Sequence, residues 1–109
     1  MYMGRQVLDC LTELAQIRRR QQALNALLER CRKRLDEPLD QRIKRGKEQR
    51  PDFDLTREDW LRLHEQERAR ARERMSDLQL EMAQSKEQGT DLRRAMVRAK
   101  RVRNSGHLR

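Results

Sequence analysis

Apolar residues recur along the first third of the chain at alternating intervals of three and four positions. Such a 3-4 repeat is the seam of a coiled coil, in which a narrow apolar stripe lies along a partner helix. A helix with so narrow a stripe is not stable alone. The pattern predicts a first helix over about residues 5–36. The nine positions of this first track, of which one is polar, are Val7, Cys10, Leu14, Ile17, Gln21, Leu24, Leu28, Cys31 and Leu35.

A second helix is marked by its start. Thr56 and Asp59 have the spacing of a capping box, in which each side chain accepts a hydrogen bond from the backbone N–H of the other residue. Leu55 and Trp60 stand at the two positions of a hydrophobic staple. The sequence therefore predicts a second helix over about residues 57–103.

The second helix carries a weaker 3-4 track than the first. Asn104-Ser105-Gly106 is a stop signal after it, which leaves a basic tail over residues 104–109. Pro38 ends the first helix, and residues 37–55 form the connector between the two helices, in which residues 39–45 can continue as frayed helix. The second track consists of His64, Arg68, Ala71, Met75, Leu78, Met82, Ser85, Gly89, Leu92, Met96 and Ala99.

The two tracks complement each other when the second helix folds back on the first. In an antiparallel register whose paired residue numbers sum to about 99, Ile17 lies near Met82 and Cys10 near Gly89. Along most of the length large side chains face small ones, as Leu28 does Ala71. A neighbouring track fits almost as well. The predicted fold is all-α, with two long helices that form an antiparallel coiled-coil hairpin and a single rod over residues 1–109.

The composition favours a helical rod over a compact domain. Apolar residues make up 35% and charged residues 41% of the chain, whereas a compact core needs roughly 45–50% apolar residues. The charge is mixed and most residues are helix formers, which favours a helix over a disordered chain. No apolar run approaches the ~20 residues that cross a bilayer. Because the start also lacks the apolar segment of a secretory signal, we expect a cytoplasmic protein without membrane insertion.

The sequence offers no candidate catalytic, cofactor-binding or metal-binding residue. His64 and His107 are far apart and have no cysteine at ligand spacing, and the four glycines stand alone instead of forming a phosphate loop. Cys10 and Cys31 occupy seam positions, where cysteine packs as a small hydrophobe. We therefore expect a protein that is not an enzyme and that needs no cofactor.

Positive charge concentrates at the C-terminal end. From Leu92 onwards there are seven basic residues and no acidic one, in a chain of net charge +9. Three interpretations are open: a solvated face, a docking surface for an acidic protein, or phosphate contacts with nucleic acid. No aromatic residue lies in this end to stack on bases, and a basic zipper would place its basic region before the seam. Nucleic acid is therefore the least favoured partner.

Large apolar residues that the seams do not use gather around the start of the second helix. Two interpretations are open for them: local packing of the connector, or a small docking site with an aromatic anchor. These residues are Phe53, Leu55, Trp60, Leu61 and Leu63.

Leu39-Asp40-Gln41-Arg42 follows the first helix, an irregular basic connector leads to Asp54-Leu55, and Trp60 then opens a long helix rich in Arg, Glu and Gln. With this order of features, over roughly residues 5–103, the chain resembles the YscO/FliJ family. These are the central stalk proteins of type III secretion systems and of the related flagellar export apparatus.

The resemblance implies a stalk that couples the hexameric export ATPase mechanically to the export gate protein at the inner membrane, with contacts to secretion chaperones. It places the ATPase contact on the basic end and the gate contact near the connector. The alternatives are a basic coiled-coil adaptor and a nucleic-acid-binding helical protein. The ATPase-side residues are Arg93, Arg94, Arg98, Lys100, Arg101 and Arg103, and the gate-side residues are Phe53, Leu55, Trp60 and Leu63.

Overall fold

The computed structural model describes the backbone of residues 2–107 and the side chains of residues 7–101. Three helices follow one another: α1 (Tyr2–Asp36), α2 (Leu39–Gln49) and α3 (Arg57–His107). No strand occurs within residues 2–107. The all-α class expected from the sequence is therefore confirmed.

The connector contains a complete helix, α2, where the sequence suggested at most a frayed continuation over residues 39–45. Pro38 separates α1 from α2, because its ring fixes φ (−67°, with ψ 153°) and disfavours helix in the residue before it. The carbonyl of Pro38 then accepts a hydrogen bond from the N–H of Arg42 at 3.1 Å, which closes the first turn of α2. The helix ends before Pro51, after 11 residues.

The capping box at the start of α3 is confirmed. The Thr56 N–H donates to Asp59 Oδ2, and the Asp59 N–H donates to Thr56 Oγ1, each at 3.2 Å. Hydrogen bonding to Thr56 lowers the pKa of the Asp59 carboxyl.

At its C-terminal end α3 runs through the expected stop signal to His107, so residues 104–107 of the expected tail are helical. Gly106 does not adopt the positive φ that ends helices, since no residue of the described backbone does so.

The two 3-4 tracks form the faces of α1 and α3 that are buried from solvent. All nine positions of the first track are buried or half-buried, and between residues 7 and 35 only Leu27 joins them. All eleven positions of the second track are buried or half-buried, and between residues 64 and 99 only Glu67 and Ala95 join them. The predicted seams are therefore confirmed as the buried faces of α1 and α3.

Contacts divide the chain into two units, which are Met1–Asn25 with Leu80–Arg109, and Ala26–Gln79. In the first unit, the ends of α1 and α3 pack together, and Arg20 donates a hydrogen bond to Glu81 at 3.0 Å. In the second unit, the remaining parts of α1 and α3 pack with α2. The most deeply buried apolar residues are Leu14, Leu24 and Met82 in the first unit, and Cys31, Trp60, Ala71 and Leu78 in the second.

The first unit corrects the expected register. Ile17, expected near Met82, lies against Gly89 instead, where a Cβ added to the glycine would be 3.9 Å from Ile17 Cγ2. Cys10, expected near Gly89, lines a hollow with Met96 instead. Both partners lie seven residues further along α3 than expected. Because the tracks repeat every seven residues, a shift of one heptad leaves every track position on the seam, so the apolar pattern alone does not select between these registers.

Candidate functional site

The four residues predicted for the gate side come together in the second unit. They line one hollow, and they do not share the same exposure: Trp60 is 4% exposed and Phe53 44%, while Leu55 and Leu63 are half-buried. Trp60 therefore forms the inner wall of the hollow and Phe53 its accessible edge. We call this site the turn hollow; its lining consists of Arg42, Gly46, Gln49, Arg50, Phe53, Leu55, Trp60 and Leu63.

A glycine brings α2 against the tryptophan. A Cβ at Gly46 would lie 2.6 Å from Trp60 Cζ3 and 2.8 Å from Arg42 Nη1, which is too close for either atom. Glycine in a helix interior costs about 1 kcal/mol relative to alanine. Glycine at position 46 therefore lowers the helix propensity of α2, but it lets the indole ring of Trp60 contact the α2 backbone directly.

Arg42 connects α2 to α3 through a buried ion pair. Its Nε donates to Glu67 Oε2 and its Nη2 to Glu67 Oε1, each at 2.8 Å. The guanidinium also lies over the Trp60 ring, 5.3 Å from the ring centroid. Arg42 is 9% exposed, and a charge so buried is tolerated because a bidentate carboxylate compensates it.

The ion pair shifts the pKa of each of its two groups in the direction that favours the charged form. Hydrogen bonding to Arg42 lowers the pKa of Glu67 from its usual value of 4.5, against the opposing effect of burial. Hydrogen bonding to Glu67 raises the pKa of Arg42 in the same way. Arg42 Nη1 and Trp60 Nε1 donate to no other described residue. Both N–H groups are buried, so they are unpaired within the packing of α2 against α3.

Sequence reasoning missed the Arg42–Glu67 pair, which joins residues 25 positions apart. A local signal was nevertheless present in the connector. Leu39, Arg42, Ile43 and Gly46 have the i, i+3, i+4, i+7 spacing of one helix face. All four are buried or half-buried in α2. That spacing predicts the buried face of α2, although it does not identify Glu67 as the partner of Arg42.

The residues predicted for the ATPase side lie along the end of α3, in the first unit. Arg93, Arg94, Arg98, Lys100 and Arg101 are all exposed, and the side chain of Arg103 lies outside the described residues. None of the five forms an ion pair with another described side chain.

The structure brings four of these five residues together. They surround a shallow hollow that also includes Val97, whose exposed fraction is 48%. Lys100 does not line this hollow. The result is a cationic surface with an exposed apolar side chain at its centre. We call it the basic stripe; its arginines are Arg93, Arg94, Arg98 and Arg101.

Within the described part of the chain, no group of three or more His, Cys, Asp or Glu side chains could hold a metal ion. No helix there combines the length and the apolar character needed to span a membrane. The absence of an enzymatic activity stays a prediction.

Fold and surfaces together define an all-α protein whose helices pack through narrow 3-4 seams and which carries an aromatic hollow and a basic stripe. No protein-family model, curated protein or solved structure matches this chain significantly. The resemblance to stalk proteins therefore rests on the sequence features alone.

Gly46 and Gly89 predict opposite effects of the same substitution. Gly46→Ala is expected to lower the free energy of unfolding by about 1–3 kcal/mol, because the new methyl group collides with Trp60. Gly89→Ala is expected to raise it by up to about 1 kcal/mol, because its methyl group makes only ordinary contact with Ile17 and alanine favours helix.

Urea unfolding followed by circular dichroism measures both changes. Trp60 is the single tryptophan of the chain, so its fluorescence should shift in Gly46→Ala and stay constant in Gly89→Ala. Changes in stability of the same sign in both variants would contradict the close packing of Gly46 on Trp60.

The Arg42–Glu67 pair predicts a loss of stability in acid. Since the folded state lowers the pKa of Glu67 below 4.5, the stabilisation is complete above that pH and disappears as the pH falls through the lowered value. The free energy of unfolding should therefore exceed that of Glu67→Gln by a constant amount near neutrality, and the difference should shrink in acid. Urea unfolding at a series of pH values tests this, and a difference independent of pH would refute it.

Proposed function

We propose that this chain is a non-enzymatic stalk component of a type III protein secretion export apparatus. It links a hexameric export ATPase to the export gate at the inner membrane from the cytoplasmic side. Its working form is an antiparallel coiled-coil hairpin of α1 and α3. The observation that carries the proposal is the burial pattern: along both long helices the 3-4 tracks are withdrawn from solvent, and nearly all other positions are exposed.

Mechanical coupling requires helices that cannot slide along each other. The Arg20–Glu81 ion pair contributes little to this, because its side chains are 66% and 46% exposed and exposed pairs give about 0–1 kcal/mol. The buried seam side chains, such as Leu14, Leu24 and Met82, contribute more. Each buried Leu or Met side chain adds about 1.5–3 kcal/mol. The seams are therefore what makes such a stalk resist sliding.

The two surfaces fit the two contacts of a stalk. The basic stripe suits an acidic ATPase surface, because its guanidinium groups have no counter-charge among the described residues. Val97 at its centre would enter an apolar depression of that partner. The turn hollow suits the gate, since Phe53 and Trp60 can hold an apolar side chain in place.

Antiparallel pairing predicts a specific cross-link. In a background with Cys10→Ala and Cys31→Ala, the pair Ile17→Cys and Gly89→Cys should form an intramolecular disulfide, because a Cβ at position 89 would lie 3.9 Å from Ile17 Cγ2. The control pair Ile17→Cys and Met82→Cys, one heptad away, should stay reduced. Non-reducing electrophoresis and mass spectrometry distinguish them. Disulfides only between chains would favour the alternative of a coiled-coil adaptor, in the form of a homo-oligomer.

The stalk function predicts binding to the hexameric export ATPase of the same organism. Charge reversal by Arg98→Glu with Arg101→Glu should weaken co-purification at least about tenfold, since both lie in the basic stripe. The matched control, Arg18→Glu with Arg19→Glu, makes the same charge change on exposed residues of α1 and should bind normally. Equal loss in both variants would refute a specific contact. A shift of duplex DNA or RNA at ~150 mM salt would favour the nucleic-acid alternative.

A further inference from the structure

Four arginines of the second unit flank a groove between α1 and α3. α1 contributes Arg30 and Arg34, and α3 contributes Arg70 and Arg74. Within each pair the two residues are one helical turn apart, so both rows run along the groove. We call this site the arginine groove. It shares no lining residue with the turn hollow or with the basic stripe.

The charge of the arginine groove is largely uncompensated. All four arginines are exposed, and none forms an ion pair with a described side chain. The single acidic residue of the lining, Glu67, has both oxygens bonded to Arg42. Arg34 attracts Glu67 electrostatically without forming an ion pair. Four positive charges therefore face one groove, where an anionic partner would relieve their mutual repulsion.

The bottom of the arginine groove is apolar. Cys31 and Ala71, at 9% and 7% exposure, lie on the seam. Leu27 lies beside them and is half-buried, although it does not belong to the first track. The apolar stripe of α1 therefore widens at this point. A small inorganic anion would leave this apolar bottom in water, whereas an amphipathic helix would cover it.

We propose that the arginine groove binds an acidic amphipathic helix of a partner protein, which packs as a third helix along α1 and α3. Its apolar side chains cover Leu27 and the seam residues, and its flanking carboxylates pair with the four arginines, as charged flanking positions do in coiled coils. Arginine suits this role because its planar group binds a carboxylate through two hydrogen bonds. This binding site is additional to the stalk contacts and does not depend on them.

A synthetic helix tests the proposal without ATPase or gate, so its failure leaves the stalk function untouched. The probe has about three heptads with Leu at the seam positions and Glu at the flanking positions. A control peptide carries Lys in place of Glu. Fluorescence anisotropy at ~150 mM salt, where weak non-specific attraction is screened, should show binding of the Glu peptide and none of the Lys peptide. Equal binding of both peptides would overturn the proposal.

Two charge-reversal variants locate the site. Arg30→Glu with Arg70→Glu should weaken binding of the Glu peptide at least about tenfold. The control, Lys33→Glu with Arg72→Glu, makes the same charge change on exposed residues of the same helices outside the groove. It should change the affinity less than about twofold. Equal weakening in both variants would overturn the proposal, because binding would then follow net charge alone.

The apolar bottom of the groove separates a helix site from a phosphate site. Leu27→Gln should weaken binding of the Glu peptide and leave the affinity for inorganic tripolyphosphate unchanged. Tripolyphosphate that binds more tightly than the peptide, together with no effect of Leu27→Gln, would overturn the proposal. Circular dichroism confirms that each variant is helical. If the charge-reversal variant Arg30→Glu with Arg70→Glu is not helical, Arg30→Gln with Arg70→Gln repeats the test, because it introduces no negative charge.

Discussion

The structure depends on the burial of two narrow apolar seams. Each seam offers roughly one residue in every three or four to its neighbour, which is too little apolar surface for a helix to be stable by itself. The deepest apolar side chains, including Leu24 and Leu78, still have an exposed fraction of 4%. Each helix is therefore held by its neighbour and by little else. The same constraint leaves most of the surface polar and free for other contacts.

The second unit adds a specific device to this general packing. Leu side chains along a seam fit one another in several registers, whereas Arg42, Trp60 and Glu67 make directional contacts that depend on their relative positions. The guanidinium must lie between the indole ring and the carboxylate, and Gly46 must leave room for the indole. A buried ion pair adds little net stability compared with apolar packing. We infer that this cluster determines the arrangement in which α2 packs on α3 and adds little to the stability of that packing.

The contrast between seam and cluster explains what the sequence could predict. Helix class, seam positions and the Thr56–Asp59 capping box follow from local spacing, and local spacing is present in the chain itself. The pairing of Ile17 with Gly89 does not follow, because the heptad repeat makes neighbouring registers equivalent. The Arg42–Glu67 pair does not follow either, since nothing in the sequence marks these two charges, 25 positions apart, as partners. That Phe53, Leu55, Trp60 and Leu63 form one cluster could be predicted, because large apolar residues outside a seam are conspicuous.

The three sites share one chemistry. Every basic residue that lines the turn hollow, the basic stripe or the arginine groove is an arginine, in a chain with 27 basic residues of which 22 are arginine and 5 lysine. In each site the guanidinium groups stand beside apolar side chains: Trp60, Val97 and Leu27 respectively. A guanidinium is more weakly hydrated than an ammonium and lies flat on apolar surface, so it can take part in a partly apolar contact at a lower desolvation cost. The partners proposed for these sites would therefore have to offer carboxylates and apolar side chains together, at a spacing that matches the arginines along each helix.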